Sequence, residues 1–409
     1  MKVLQVLAGG TWGGGCVVVR DYLADMVRRG DEVWLLCLDD EVERCFAEIG
    51  CKTLRSPLWF HSINPFDLVS FHQLWMLCRR ERFDLVATHT SKGGFIGRLA
   101  ARAAGAPHIV HHAHGFAFRE TQPRWIQRCY VVLERLAAHA CDLIISVSED
   151  HRESGLRERV APAEKIITIL NGIDVDAFAN APRAGIDGVA ADDVVIGIAS
   201  RLAPKKGIGI AVEAFPEIHR SHPNTSLVVA GEGPARAELE AQARRAGPGG
   251  GILFTGFRRD VPELLARFDI AIQPSISEGL SISVLEAMAA AKPLVVCDIP
   301  GNRELITPYV NGLLVPPSDP SALAAAVRWM LDHPSEARRF GARAQADCRA
   351  RFSRERMVRQ ILQSYDSVAK RVKSSTGERT LAAELKWSGH SASVREGTQR
   401  GAGLAHFKC

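Results

Sequence analysis

Two glutamates stand eight positions apart in the stretch Pro274-Ser-Ile-Ser-Glu278-Gly-Leu-Ser-Ile-Ser-Val-Leu-Glu286. Past Glu278 the chain turns apolar and alanine-rich, and its spacing predicts a helix over about Ser283 to Ala291, closed by Lys292-Pro293. The first turn of a helix carries unpaired N–H groups and the positive end of the macrodipole, and Gly279 lets a ligand approach that backbone closely. Such a terminus receives a phosphate. A carboxylate beside a phosphate site is of use when it accepts from hydroxyls. The pattern therefore suits a ligand carrying both, as nucleotide sugars do, and it also suits a capping box followed by a solvated glutamate.

A second set of charges lies in Ser200-Arg201-Leu-Ala-Pro-Lys205-Lys206-Gly207, just past the apolar run Val194–Ala199. A guanidinium that forks two oxygens and an ammonium acting as a point charge fit a diphosphate. The alternative is a solvated basic loop. In His111-His112-Ala113-His114-Gly115-Phe116, strand alternation puts His112 and His114 on one face and His111 on the other. No H-E-x-x-H helix or accompanying Cys/Asp cluster supports a metal site, so neither metal nor cofactor is expected.

The elements that must hold these residues alternate. Residues 3–7 read as a buried strand, followed by a glycine loop ending at Gly13-Gly14-Gly15 and a helix over about Val17 to Arg29. Further strands are expected at Val33–Leu38, Leu85–Thr88, Ile109–Ala113, Leu143–Val147 and Ile166–Leu170. After an Ala/Gly/Asp/Pro-rich stretch the rhythm resumes at Val194–Ala199, Leu227–Ala230, Ile252–Thr255, Ile270–Gln273 and Leu294–Cys297. This is an α/β pattern of parallel sheets covered by helices on both faces. The first loop lacks G-x-G-x-x-G spacing, which argues against a dinucleotide site.

Glu278, seven residues and Glu286, together with Arg201, Lys206, the Gly231-Glu-Gly233-Pro234 turn and His114-Gly115-Phe116, resemble the retaining family 4 glycosyltransferases. The Thr90-Ser91-Lys92-Gly93 and His114-Gly-Phe-Ala-Phe118 segments are most similar to bacterial enzymes that build surface polysaccharides. The resemblance covers about residues 1–372 and implies a GT-B fold, two Rossmann-like domains facing a cleft. The expected division is an acceptor domain over 1–178, a linker over 179–193, a nucleotide-sugar domain over 194–351, and a helix over 352–372 that crosses back. It implies that His114 and Glu278 hold the donor sugar, that Arg201 and Lys206 hold its diphosphate, and that Glu286 holds the ribose. Gly14, Gly15, Phe257, Arg258, Gly279, Leu280, Ser281 and Ile282 complete the implied donor site. A UDP-sugar donor and a lipid-linked saccharide acceptor follow by the same analogy. A nucleotide-sugar epimerase and a non-catalytic nucleotide- or polyanion-binding module remain alternatives.

The 409 residues are 46% hydrophobic and 24% charged, with net charge +5. These are ordinary globular values for two domains. Arg79–Arg135 holds ten Lys/Arg against four Asp/Glu, and Arg354–Cys409 eleven against five. A nucleic-acid partner is not expected. Within the first block, Ile126, Cys129, Tyr130, Leu133, Leu136 and Ala137 recur at helical spacing and are expected to face the core. The interleaved arginines and Trp125 raise the idea of contact with an anionic membrane. Ten scattered cysteines without metal-type spacing read as reduced thiols of a cytoplasmic protein, and the membrane idea would put it at the inner face of the plasma membrane. Residues 373–409 read as a disordered basic tail.

Overall fold

The computed structural model describes residues 1–7, 12–55, 66–118, 122–190, 192–245 and 251–370. The start of the first glycine loop (8–11) and the expected basic tail (373–409) lie outside the described residues.

Two wholly parallel sheets form, with apolar central strands buried on both faces. The first holds β1 (Lys2–Val6), β2 (Glu32–Cys37), β3 (Lys52–Arg55), β4 (Leu85–His89), β5 (Ile109–Ala113), β6 (Leu143–Ser146) and β7 (Ile166–Thr168), in the order β3-β2-β1-β4-β5-β6-β7. The second holds β8 (Val194–Ala199), β9 (Thr225–Ala230), β10 (Ile252–Gly256), β11 (Ile270–Gln273), β12 (Leu294–Cys297) and β13 (Leu313–Val315), in the order β10-β9-β8-β11-β12-β13. Strand order reverses beside β1 in one sheet and beside β8 in the other. Val6 pairs with Leu36 on one side and Thr88 on the other, and Ile196 lies between Leu227 and Ile270. In open α/β sheets the crevice at such a switch point, beyond the carboxyl ends of the strands, is where ligands bind. β1 and β4 therefore point the glycine loop and His89 at one crevice, and β8 and β11 point Arg201 and Ser275 at the other.

The structure departs from expectation in three places. β3 and β13 were absent from the sequence reading, because Lys-Thr-Leu-Arg carries no apolar run and Leu-Leu-Val is only three residues long. The helix expected over 352–372 starts later, at Arg354, because Ser353 is paired with Ile173, and helices Pro320–Asp332 and Pro334–Arg351 precede it. In helix Arg124–His139 the buried line is Val131, Glu134, Ala137 and Ala138, while Cys129 and Leu136 are exposed. The stripe is rotated because Glu134 turns inward to pair with the fully buried Arg98 at 2.7 Å.

The last helix returns to the first domain. Ser353 bridges Ile173, with Ile173 N–H donating to Phe352 O and Arg354 N–H to Ile173 O, both at 2.9 Å. The outgoing and returning crossings thus lie side by side. A Cβ on Gly172 would collide with Ser353 O, so the pairing needs a glycine there. Beyond it Met357, Val358, Ile361, Tyr365 and Val368 join the core formed by Val3, Tyr22, Leu23 and Leu35.

Candidate active site

The β8 and β11 exits build the polar centre. Lys206 closes a short 3-10 turn (Pro204–Lys206) and is followed by Gly207 at φ 62°. A Cβ on Gly207 would strike Pro274 O, so the basic loop lies directly against the end of β11. Ile276 N–H donates to Lys205 O at 2.8 Å, locking the two loops together. Lys206 Nζ then reaches Glu278 Oε1 at 2.6 Å, with only 14% and 9% of the two side chains exposed. Ser275 Oγ donates to the same oxygen at 2.7 Å and itself accepts from Gln273 Nε2 at 2.7 Å. Oε2 of Glu278 has no donor among the described residues.

Helix Ile282–Ala289 begins one residue earlier than expected, and its N-cap residue, Ser281, makes no capping bond with its side chain. Ser281 Oγ is buried without a hydrogen-bond partner, and the first-turn N–H groups lack a side-chain acceptor. Inside this helix, Glu286 is partly buried and no described residue donates to its carboxylate. Burial raises that carboxyl to about 7, and the Lys206 ammonium only partly offsets the shift. Arg201, at the end of β8, is exposed and forms no ion pair among the described residues. The turn behind it is held backbone to backbone: Leu202 N–H donates to Glu232 O at 2.9 Å, and side chains on Gly231 or Gly233 would strike Ser200 O and Leu202 O.

The first domain closes the other side. A Cβ on Gly279 would collide with the carbonyl oxygen of His114, and one on Gly14 would lie 2.9 Å from Ile282 Cβ. Gly15 has open space around it. Helix Gly14–Arg28 and helix Ile282–Ala289 thus meet near their N-termini across the cleft. Arg259 pairs with Glu41 at 2.6 Å and Glu149 N–H donates to Glu304 Oε2 at 2.9 Å, so the two walls are also tied at their rims. His114 sits beside His89, His112 and His111. Burial lowers all four imidazoles, His114 to about 4 and His112 to about 3.

The structure therefore brings together His114, Lys206, Glu278, Gly279, Gly14 and Ile282, with Leu280 and Ser281 buried behind them. Phe257 is exposed, and Arg258 is occupied by Asp260 at 2.7 Å. Sequence reasoning missed Gln273, Ser275 and His89. The available signal was their polarity at the ends of otherwise apolar strands.

Comparison with known proteins gives the same account. The profile described as Glycosyl transferases group 1 matches residues 186–347, and that of Glycosyltransferase Family 4 matches residues 12–177. The chain is 31% identical over 296 residues to the Escherichia coli UDP-Gal:alpha-D-GlcNAc-diphosphoundecaprenol alpha-1,3-galactosyltransferase, covering 69% of this chain and 73% of that one. It is 29% identical over 323 residues to the putative glycosyltransferase EpsD of Bacillus subtilis, covering 76% and 84%. The fold matches Anabaena Alr3699/HepE, solved in complex with UDP and glucose, with a TM-score of 0.77 at 23% identity, over 90% of this chain and 100% of that one. The chain belongs to the family 4 glycosyltransferases and is a nucleotide-sugar glycosyltransferase of GT-B fold.

Proposed function

We propose that the chain transfers a sugar, with retention, from a UDP-sugar to a lipid-linked saccharide acceptor in surface polysaccharide synthesis. The observation that carries this reading is the Lys206–Glu278 pair at the carboxyl ends of β8 and β11, facing His114 across the cleft. Arg201, Lys206 and the N–H groups of Ser281–Ser283 stabilise the diphosphate as negative charge develops on it, which is electrostatic preorganisation. These fixed charges do the work without a metal ion. Glu278 Oε2 and His114 hold the sugar hydroxyls, and Glu286 holds the ribose. The E. coli relative named for a diphosphoundecaprenol acceptor and the Anabaena complex with UDP support the choice of acceptor and donor.

The test is transfer from UDP-galactose and UDP-glucose to a synthetic GlcNAc-diphospho-lipid, with the anomer read by NMR. An acceptor-dependent α-linked product is expected. Release of an epimerised sugar without acceptor would replace the transferase reading with the epimerase one.

The proposal extends to the membrane. Helices Asp67–Glu81 and Arg124–His139 pack on either side of helix Ser91–Ala103. They expose Leu68 (78%), Trp125 (69%) and Leu136 (57%), with Arg124, Arg128 and Arg135 on the same helix as the last two. Apolar side chains with interleaved arginines suit an anionic lipid surface, at about 1 kcal/mol per basic residue. No helix among the described residues is long and apolar enough to span a bilayer. Co-sedimentation with phosphatidylglycerol vesicles, weakened by Trp125→Ser and by salt, is expected; equal binding to neutral vesicles would contradict it.

Glu286 makes nucleotide binding pH-dependent. Its folded carboxyl sits near 7 against an ordinary 4.5, so ionisation opposes folding, and this group lowers stability as pH rises from 4.5 through 7. The carboxylate is also the form that accepts ribose hydroxyls. UDP-glucose affinity is therefore expected to rise about tenfold between about pH 6 and pH 8, a window in which its diphosphate does not titrate. Glu286→Gln should flatten the profile; an unchanged slope in that variant would remove Glu286 from the ribose site.

A further inference from the structure

Behind His114 runs a chain of hydrogen bonds that nothing in the donor reading uses. His114 Nε2 lies 3.0 Å from His89 Nδ1, and His89 Nε2 lies 2.9 Å from Gln5 Oε1. Gln5 Nε2 donates to Tyr365 Oη at 3.4 Å, and Tyr365 Oη lies 2.7 Å from His112 Nε2. Tyr22 Oη adds a bond to Gln5 Oε1 at 3.3 Å. His89, Gln5, Tyr22 and Tyr365 are all at most 1% exposed, so these bonds are shut off from bulk solvent. The groups come from β1, β4, β5, the first helix and the returning last helix. The His89 and His114 rings are tilted by only 23° with centroids 5.3 Å apart, so they meet end to end, as an in-plane hydrogen bond requires, and the His89 and His112 rings stack at 4.8 Å.

The direction of this chain follows from the Gln5 amide, whose Nε2 donates to Tyr365 Oη and whose Oε1 faces His89 Nε2. Tyr365 Oη, accepting from Gln5, gives its own proton to His112 Nε2, 2.7 Å away. An amide oxygen only accepts, so His89 Nε2 carries the proton. Burial keeps these imidazoles neutral, with His89 pushed well below the usual range, so His89 Nδ1 holds a lone pair. Only a proton on His114 Nε2 can satisfy it.

We infer that His89 is a positioning residue that fixes His114 in the Nε2–H tautomer, so that His114 meets the donor sugar with the Nδ1 lone pair. This rests on the reading of His114 as facing the donor. A sugar hydroxyl must then donate to His114, and a sugar lacking a donor at that position loses the contact. The returning helix takes part through Tyr365, which sets the orientation of Gln5 from 360 residues away in the chain. A second-layer partner that fixes tautomer and ring orientation in this way is a recurrent device for histidines that hold a ligand.

The test uses the full chain with 15N-labelled histidine. Long-range 1H–15N correlation reads each tautomer, and the His114 signals are assigned by their loss in His114→Ala. Wild type is expected to show His114 as Nε2–H. In His89→Asn the side-chain oxygen sits where Nδ1 was and keeps that tautomer, whereas His89→Leu releases a mixture. UDP formation from UDP-glucose and UDP-galactose should fall roughly 10- to 100-fold in His89→Leu and be largely restored in His89→Asn. Thermal stabilisation by UDP alone should be unchanged in both. A wild-type His114 protonated on Nδ1, or a His89→Leu variant retaining both tautomer and turnover, would overturn the inference. Wild-type turnover in His114→Ala would instead remove His114 from the donor site, while the tautomer spectra still report on the hydrogen-bond chain.

Discussion

Lys206→Ala is expected to lower turnover by about 10²- to 10³-fold, the loss typical of removing one preorganised group that stabilises developing charge. The geometry gives this substitution two consequences. The ammonium that would face the departing diphosphate disappears, and Glu278, only 9% exposed, loses its ion-pair partner at 2.6 Å. The remaining donor to Oε1 is Ser275. An unpaired, largely buried carboxylate turns to another partner, which disturbs the oxygen meant for the sugar. Both kcat and UDP-sugar affinity should therefore fall. Lys206→Arg keeps the charge but lengthens and flattens the head, and is expected to restore affinity better than kcat. A steady-state comparison of the three proteins checks this; near-wild-type kcat in Lys206→Ala would contradict the assigned role.

Arg201→Ala should separate function from folding more cleanly. The guanidinium is exposed and forms no ion pair among the described residues, so its removal should change unfolding stability by less than about 0.5 kcal/mol. Charge-assisted hydrogen bonds to a diphosphate are worth about 1.5–3 kcal/mol, so kcat/KM should fall roughly 10- to 100-fold. Lys at this position supplies charge without the two-pronged donor geometry, and Arg201→Lys should recover only part of the loss. Urea unfolding and kcat/KM measured on the same samples decide the matter. A large loss of stability with unchanged kcat/KM would make Arg201 structural.

The strands that carry the site were legible because parallel strands buried on both faces are nearly continuous apolar runs, as in Val194–Ala199 and Leu294–Cys297. The edge strand β3 was not, since Lys-Thr-Leu-Arg carries no apolar run, and β13 offers only the three residues Leu-Leu-Val, whereas the edge strands β7 and β10 lie in longer apolar stretches. The glutamate spacing and the Arg201–Lys206 loop could be read directly, because the residues that make that site are close in sequence. The His114 environment could not. Gln5, Tyr22, His89 and Tyr365 meet only through the sheet order and the returning helix, which no local pattern encodes. Helix Arg124–His139 shows a related limit. Its apolar stripe was visible, but which line turned inward was decided by Arg98, a buried cation on another helix.

A nucleoside diphosphate sugar is expected to bind between the Arg201–Lys206 loop and the N-terminus of helix Ile282–Ala289. Thermal unfolding of the full chain with UDP, GDP and ADP and their glucose conjugates tests it most directly, with Lys206→Ala and Glu286→Ala alongside. At about 100 times its dissociation constant a ligand adds about 2.7 kcal/mol of stability. The account predicts a clear rise in melting temperature for wild type with UDP and UDP-glucose, and a much smaller one in both variants. A well-folded wild-type chain that responds to no nucleotide, or variants that respond as wild type does, would contradict it.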